Sequence, residues 1–228
     1  MTTVLDAIKE SLKKLNKEVI KRKKEKLNNN TRVILGRSPS FSSFFESTLA
    51  KELSKVYPNF YFYVDFPIRI LNEENKSIKN GGQSIYPDIM IVDKENKLLK
   101  AIIEIKLDIG YVNLDREENS KRDNDFEKAN KIRFNKLVGA YSREEKEENE
   151  EIMLSISPKI KKIAIIVTKK NSHGREKGFE KILKKRGYTS IFLLEKIHFN
   201  TMGDISKKIE EEVDEKKDTI LNAFNRFD

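Results

Sequence analysis

The chain has 228 residues, and its 46 lysines and arginines against 37 aspartates and glutamates give a formal charge of +9, which suits a polyanionic partner. It has no cysteine, which excludes disulfides and thiolate metal sites, and its two histidines, His173 and His198, lie too far apart in sequence to suggest a histidine-based zinc site. No apolar run approaches the roughly 20 residues of a membrane span and the first residues lack the apolar core of a secretory signal, so a cytoplasmic location without a membrane partner is expected.

The spacing of Leu5, Ile8, Leu12, Leu15 and Val19 by threes and fours predicts one amphipathic helix over residues 2–28, closed by Asn28-Asn29-Asn30. Nine basic residues fall between Lys9 and Lys26 against three acidic ones. Such a helix can lie on a phosphate backbone, with Lys21, Arg22, Lys23 and Lys24 as candidate contacts. It can equally pack on a second subunit, or dock on its own domain with a solvated face. Residues 1–30 are therefore read as a basic helix and residues 31–228 as the main domain. Ser38-Pro39-Ser40 leads into a second helix, Phe41 to Tyr57, where a serine can cap the first turn. Phe41, Phe45, Leu49, Leu53 and Val56 form its buried stripe; Glu46 lies at the stripe's edge and Glu52 nearer its middle. Asn59 to Leu71 is an aromatic-rich strand whose later half Pro67 confines to an edge or a bend, with Asp65 facing solvent. A polar loop with Gly81-Gly82 follows.

Ile85 to Val92 and Leu98 to Lys106 read as two apolar strands joined by the turn Asp93 to Lys97. Three charged residues interrupt them: Asp88, Glu104 and Lys106. Alternation puts Glu104 and Lys106 on one face, with Ile103 and Ile105 on the other. A three-residue loop sets Asp88 directly opposite Glu104, at about 4.5–5.5 Å, and a five-residue loop sets it on the diagonal. A carboxylate inside an apolar run is desolvated and needs a partner. Two carboxylates at such spacing can share a hard cation such as Mg²⁺, which binds one or two carboxylates plus phosphate oxygens and waters.

Beyond Lys106 the chain turns polar. A helix is expected over about Asp125 to Tyr141, with Phe126, Phe134, Leu137, Val138 and Tyr141 on one face, and then an acidic surface run from Glu144 to Glu151. Lys162 to Thr168 suits a strand buried on both faces. Gly174 to Arg186 is a basic helix with Phe179, Ile182 and Leu183 inward, and Arg175 and Lys177 are second-choice nucleic-acid contacts. Ser190 to Leu194 is a short strand, and Asp204 to Phe224 a last helix. The order is helix, three strands, helix, strand, helix, strand, helix. It predicts an α/β domain with a mixed central sheet flanked by helices.

Pro87-Asp88 on one strand and Glu104-Ile105-Lys106 ending the next resemble the motif of the PD-(D/E)xK, or restriction-endonuclease-like, nuclease superfamily. Other acidic-x-lysine triplets, such as Glu95-Asn96-Lys97 and Asp214-Glu215-Lys216, do not end an apolar strand. The resemblance covers about Phe41 to Leu194 and implies that superfamily's core, with helical extensions at both ends. It implies a Mg²⁺-dependent DNA endonuclease, with Mn²⁺ able to substitute. In that reading Asp88 and Glu104 hold the metal and Lys106 positions the water. Phe45-Glu46-Ser47-Thr48-Leu49 resembles the helix of archaeal Holliday-junction resolvases, which implies Glu46 as a further ligand; Glu52 is its competitor. No QxxxY element of the RecB-type branch follows Lys106. A junction-resolving nuclease and a non-catalytic nucleic-acid-binding subunit on the same fold are the alternatives, and a helical interaction protein is a third. Duplex cutting with one site per chain suggests a homodimer, built through Leu5, Leu12 and Leu15 or through Ile209, Val213 and Ile220. Packing of both helices on their own sheet explains the same stripes.

Overall fold

A computed structural model describes residues 2–28, 41–66, 68–70, 86–109, 137–140, 152–170, 174–201, 203–225 and 227. The helices are α1 (Val4–Asn28), α2 (Phe41–Val56), α3 (Glu176–Lys185), α4 (Ser206–Glu215) and α5 (Lys217–Phe224). The strands are β1 (Phe60–Val64), β2 (Ile68–Ile70), β3 (Ile89–Asp93), β4 (Leu98–Lys106), β5 (Leu137–Ala140), β6 (Ile152–Thr168) and β7 (Tyr188–Leu194).

The strands form one mixed sheet in the order β1-β3-β4-β6-β5-β2, with β7 also paired to β6. β1, β3 and β4 make an antiparallel meander, and β4, β6 and β7 run parallel. β6 is long enough to serve two neighbours on one side: Ile152 to Ser155 pair with β5, and Lys162 to Thr168 with β7. Alternation along the central strands divides their apolar residues between two cores. Ile89, Ile91, Ile103, Ile105, Ile163 and Ile165 face the cluster built with α1, α2, α4 and α5. Met90, Val92, Ile102, Ala164 and Ile166 face a smaller cluster with Phe179 and Leu183 of α3. Helices thus cover both faces, as an α/β fold requires for strands without a polar face.

α1 begins with a reciprocal cap: the Thr3 N–H donates to Asp6 Oδ2 at 2.8 Å and the Asp6 N–H to Thr3 Oγ1 at 3.2 Å. Its buried face is Val4, Ala7, Ile8, Leu12, Leu15 and Val19. Asn16, also buried, donates to the carbonyls of Phe199 and Thr201. Ion pairs Lys9–Asp214 and Lys13–Glu210, at 2.7 and 2.5 Å, tie α1 to α4.

Three expectations need correction. Leu137 to Ala140, expected at the end of a helix, form strand β5, paired antiparallel with β6 through Leu137↔Ser155 to Ala140↔Ile152. Residues 125–136 and Tyr141 lie outside the described residues, as does the acidic run 144–151. The last helix is two: α4 ends before Lys216, whose φ of −101° and ψ of 7° leave the helical region, and α5 starts after it. The stripes expected to meet across a dimer axis are consumed within one chain. Leu12, Leu15, Ile209, Val213 and Ile220 are all buried in the α1–α2–α4–α5 core, and Leu5 packs against it. An amphipathic stripe demands a covered face, and here the chain's own sheet and helices provide the cover. Among the described residues, no helix is long and apolar enough to cross a membrane.

Candidate functional site

The β3–β4 hairpin sets the geometry. Its loop is Lys94 to Lys97, between Asp93 and Leu98 at the strand ends. Asp93 Oδ1 accepts the N–H groups of Glu95 and Asn96, both at 2.9 Å, and Lys97 adopts a left-handed φ of 51°. An even loop would send Asp88 and Glu104 to opposite faces. The register, however, shifts once: Val92 pairs with Leu99, but Ile91 pairs with Ala101, so Lys100 is a one-residue bulge. From there Met90 pairs with Ile102 and Ile89 with Ile103. One further step sets Asp88 opposite Glu104, the arrangement a three-residue loop would have produced.

Asp88 lies just before β3 and is half-buried, with Pro87 buried beside it. Its Oδ2 accepts the backbone N–H of Ile105, the residue between Glu104 and Lys106. The carboxylate therefore stands in for a strand carbonyl where β3 begins, and anchors itself between the two other motif residues. Glu104 and Lys106 are half-buried and share the face opposite Ile103 and Ile105.

Glu46 comes from α2 and is 8% exposed. Ser42 Oγ donates to its Oε1 at 2.6 Å. Burial pushes its carboxyl above the ordinary range; the Ser42 hydrogen bond opposes this, the charges of Asp88 and Asp65 add to it, and Lys106 opposes it. Glu46, Asp88, Asp65 and Lys106 thus share one electrostatic neighbourhood. Glu52 belongs to another. It too is buried, but it is neutralised by Lys14 at 2.7 Å and Lys55 at 2.5 Å. Burial raises its carboxyl, and those two hydrogen bonds outweigh it, leaving a net lowering. Between the two candidate glutamates, Glu46 is the one whose carboxyl feels the charges of Asp88 and Lys106.

Asp65 has a larger part than a solvent-facing strand residue. It is exposed, but its N–H donates to the Asp88 carbonyl at 3.0 Å and its φ is 49°. Val64 pairs with Ile89, so one more step places Asp65 across from Asp88. Reading β1 and β3 as register partners would have exposed this neighbour; the loop between them hides it in the sequence.

The expected nucleic-acid contacts are scattered. Lys21 and Lys24 are exposed on α1. Lys23 Nζ donates to the Asn200 carbonyl at 2.8 Å, and Arg22 pairs with Glu18 at 2.5 Å. Arg175 and Lys177 are exposed at the start of α3. The four basic residues of α1 therefore do not form one rail.

Asp88 and Glu104 bring one carboxylate from each arm of the hairpin, and a hard cation is commonly held by one or two carboxylates plus phosphate oxygens and waters. Among the described residues, no three carboxylates or histidines gather closely enough to hold a metal by themselves. No family model, curated protein or solved structure matches the chain.

Proposed function

We propose that the chain is a Mg²⁺-dependent DNA endonuclease with a restriction-endonuclease-like core, hydrolysing phosphodiester bonds at the β3–β4 hairpin. The observation that carries this reading is the bulge-corrected register. It brings the Asp88 position across from Glu104 and ties the Asp88 carboxylate to the peptide N–H between Glu104 and Lys106. A surface hairpin has no need to place a carboxylate and a lysine on a half-buried face around a second carboxylate.

In this reading Asp88 and Glu104 bind the metal, Mg²⁺ or Mn²⁺. The bound metal supplies charge stabilisation of the phosphodiester transition state and of the leaving oxygen. Lys106 orients the attacking water and offsets phosphate charge. Glu46, held by Ser42 and raised by burial, is the candidate further ligand that the superfamily resemblance implies, and among the described residues it does not close on Asp88 and Glu104. DNA is the substrate class, and the location is cytoplasmic.

Incubation with plasmid, linear duplex, single-stranded DNA, RNA and a four-way junction, with Mg²⁺, Mn²⁺ or EDTA, tests the reading. Cleavage of DNA with metal, lost in EDTA and in Glu104→Gln, is the expected result. Preference for the junction would favour a resolvase-like enzyme. Failure to cut any of these substrates with either metal would overturn the nuclease. The formal charge of +9 suits a second reading as well, a non-catalytic nucleic-acid-binding protein on the same fold. That reading expects binding in the same assay without cleavage.

A further inference from the structure

α1 and α2 lie antiparallel, as the side chains that bridge them require. Lys14 on α1 reaches Glu52 near the end of α2, while Arg22, two turns further along α1, sits 5.1 Å over the ring of Phe41 at the start of α2. A groove of about 640 Å³ opens between them. Its α1 wall carries Lys14 and Arg22; its α2 wall carries Ser43, Ser47 and Lys51, with Phe44 and Thr48 between. Among the described residues, no carboxylate lines it. The carboxylates that pair with its cations, Glu52 and Glu10 on Lys14 and Glu18 on Arg22, are not among the lining residues.

The placement of charge along the groove defines what fits. Lys14 and Lys51 stand at one end, Arg22 and Ser43 at the other, with Thr48 and Ser47 between them; the Ser47 hydroxyl donates to the Ser43 carbonyl at 2.8 Å. Arg22 lies eight positions after Lys14, and Lys51 eight after Ser43, so each wall spans about 12 Å of helix rise. A single phosphate cannot meet cations that far apart. A chain of phosphates can, because successive phosphates of one strand are spaced closely enough for more than one to lie along the groove. Ammonium and guanidinium groups such as those of Lys14, Lys51 and Arg22 are usual donors to backbone phosphates, which position a nucleic acid without reading its sequence.

We propose that this groove holds the sugar–phosphate backbone of one nucleic-acid strand, with Lys14 and Lys51 gripping one end and Arg22 the other. This rests on the nucleic-acid part of the reading above, and of the four α1 residues expected to contact phosphate only Arg22 lines the groove. α2 then has two working faces. Phe45, Glu46 and Leu49 turn inward, Glu46 toward the Asp88 neighbourhood, while Ser43, Ser47 and Lys51 turn outward to the bound strand.

Fluorescence anisotropy of an end-labelled mixed-sequence oligodeoxynucleotide, single-stranded and as duplex, measured in EDTA, tests the groove without requiring cleavage. The variant Ser47→Glu with Lys51→Glu alters two exposed positions on α2 and leaves the buried Glu52 cluster intact. A control, Lys207→Gln, Lys208→Gln and Lys217→Gln, removes the same amount of charge from exposed sites on α4 and α5. The groove variant should bind at least about tenfold more weakly at moderate salt, with a log–log salt slope shallower by about 0.7–0.9 for each phosphate that the protein no longer neutralises. Ser47→Lys should tighten binding, and the control should stay within about twofold of wild type. Wild-type affinity in the groove variant would overturn the proposal. So would an equal weakening in the control, an undetectable affinity of the wild type, or displacement of the oligonucleotide by equimolar inorganic phosphate. The chemistry is judged separately: loss of binding in the groove variant while no variant cleaves leaves the groove standing and removes the nuclease.

Discussion

The bond from the Ile105 N–H to Asp88 Oδ2 makes Asp88 both a structural and a chemical residue, and two substitutions separate the roles. Asp88→Asn keeps an acceptor oxygen in place and removes the charge. Asp88→Ala removes the acceptor and leaves the N–H of Ile105, a buried residue of β4, without its partner. An orphaned buried donor costs about 1–3 kcal/mol. For a chain of this size each kcal/mol lowers the melting temperature by about 2–4 °C, so the Ala variant should melt about 2–12 °C below wild type. The Asn variant, which keeps the acceptor, should melt closer to wild type than the Ala variant does. Cleavage should vanish in both, since neither offers a carboxylate to the metal. Thermal unfolding followed by circular dichroism, with plasmid cleavage in Mg²⁺ on the same preparations, reads both quantities. Wild-type cleavage by the Asn variant would refute the metal-ligand role. An Ala variant as stable as wild type would show that the hydrogen bond does not hold the start of β3.

Glu104→Gln and Lys106→Ala should each lower the cleavage rate by about 10²–10⁴-fold or more while leaving the melting curve nearly unchanged; a rate within error of wild type moves the site elsewhere. Glu46→Gln should stabilise the metal-free protein at neutral pH. Its folded carboxyl is raised, so the stability penalty of ionising it is absent below the ordinary carboxylate range, grows through the window up to the raised value and is complete above it. The Gln variant's advantage in EDTA should therefore shrink as pH falls through that window; an advantage that grows on acidification contradicts the burial argument. Glu212→Ala should cost about 1–3 kcal/mol without touching cleavage, because the buried Glu212 carboxylate accepts the N–H groups of both Glu195 and Lys196 at 2.5 and 3.0 Å. Chemical denaturation compares it with wild type, and no change would mean that water serves those donors equally well. With the stripes of α1, α4 and α5 buried in one chain, light scattering is expected to give a mass near 26.7 kDa; twice that mass would require a pairing surface other than those stripes.

The parts of the fold visible in the sequence are those set by local pattern. Alternation marks the β3–β4 hairpin, three-and-four spacing marks α1 and α2, and Asp88, Glu104 and Lys106 stand out as charges inside apolar runs. What sequence leaves undecided is set by distant partners. Lys100 is no different from any lysine on a strand, yet its bulge decides which face Asp88 shares. Leu137-Val138-Gly139-Ala140 fits the tail of a helix as well as a strand, and the pairing with Ile152 to Ser155 decides it. Glu46 and Glu52 sit on the same helix near the same stripe. Lys14, thirty-eight positions away from Glu52, and Lys55 determine which of the two is spent on ion pairs. A stripe reports that a helix face is covered and says nothing of whether another chain covers it, which is why the terminal helices suggested a dimer.

The position of β1 has a consequence for handling the protein. Among the described residues it ends the strand order, so one side of Phe60-Tyr61-Phe62-Tyr63-Val64 has no strand beside it. An uncharged, aromatic edge is a template for adding strands from other molecules. The fold limits the exposure in three ways. The strand is five residues long. Asp65 turns the chain away at a φ of 49°. Lys94 and Lys97 set their ammonium groups 5.2 and 5.4 Å from the Tyr61 ring centre, putting charge beside an exposed aromatic. High salt weakens the repulsion those two lysines provide between molecules. Conditions chosen to suppress nucleic-acid carry-over during purification are therefore also the conditions under which self-association through this edge is least opposed.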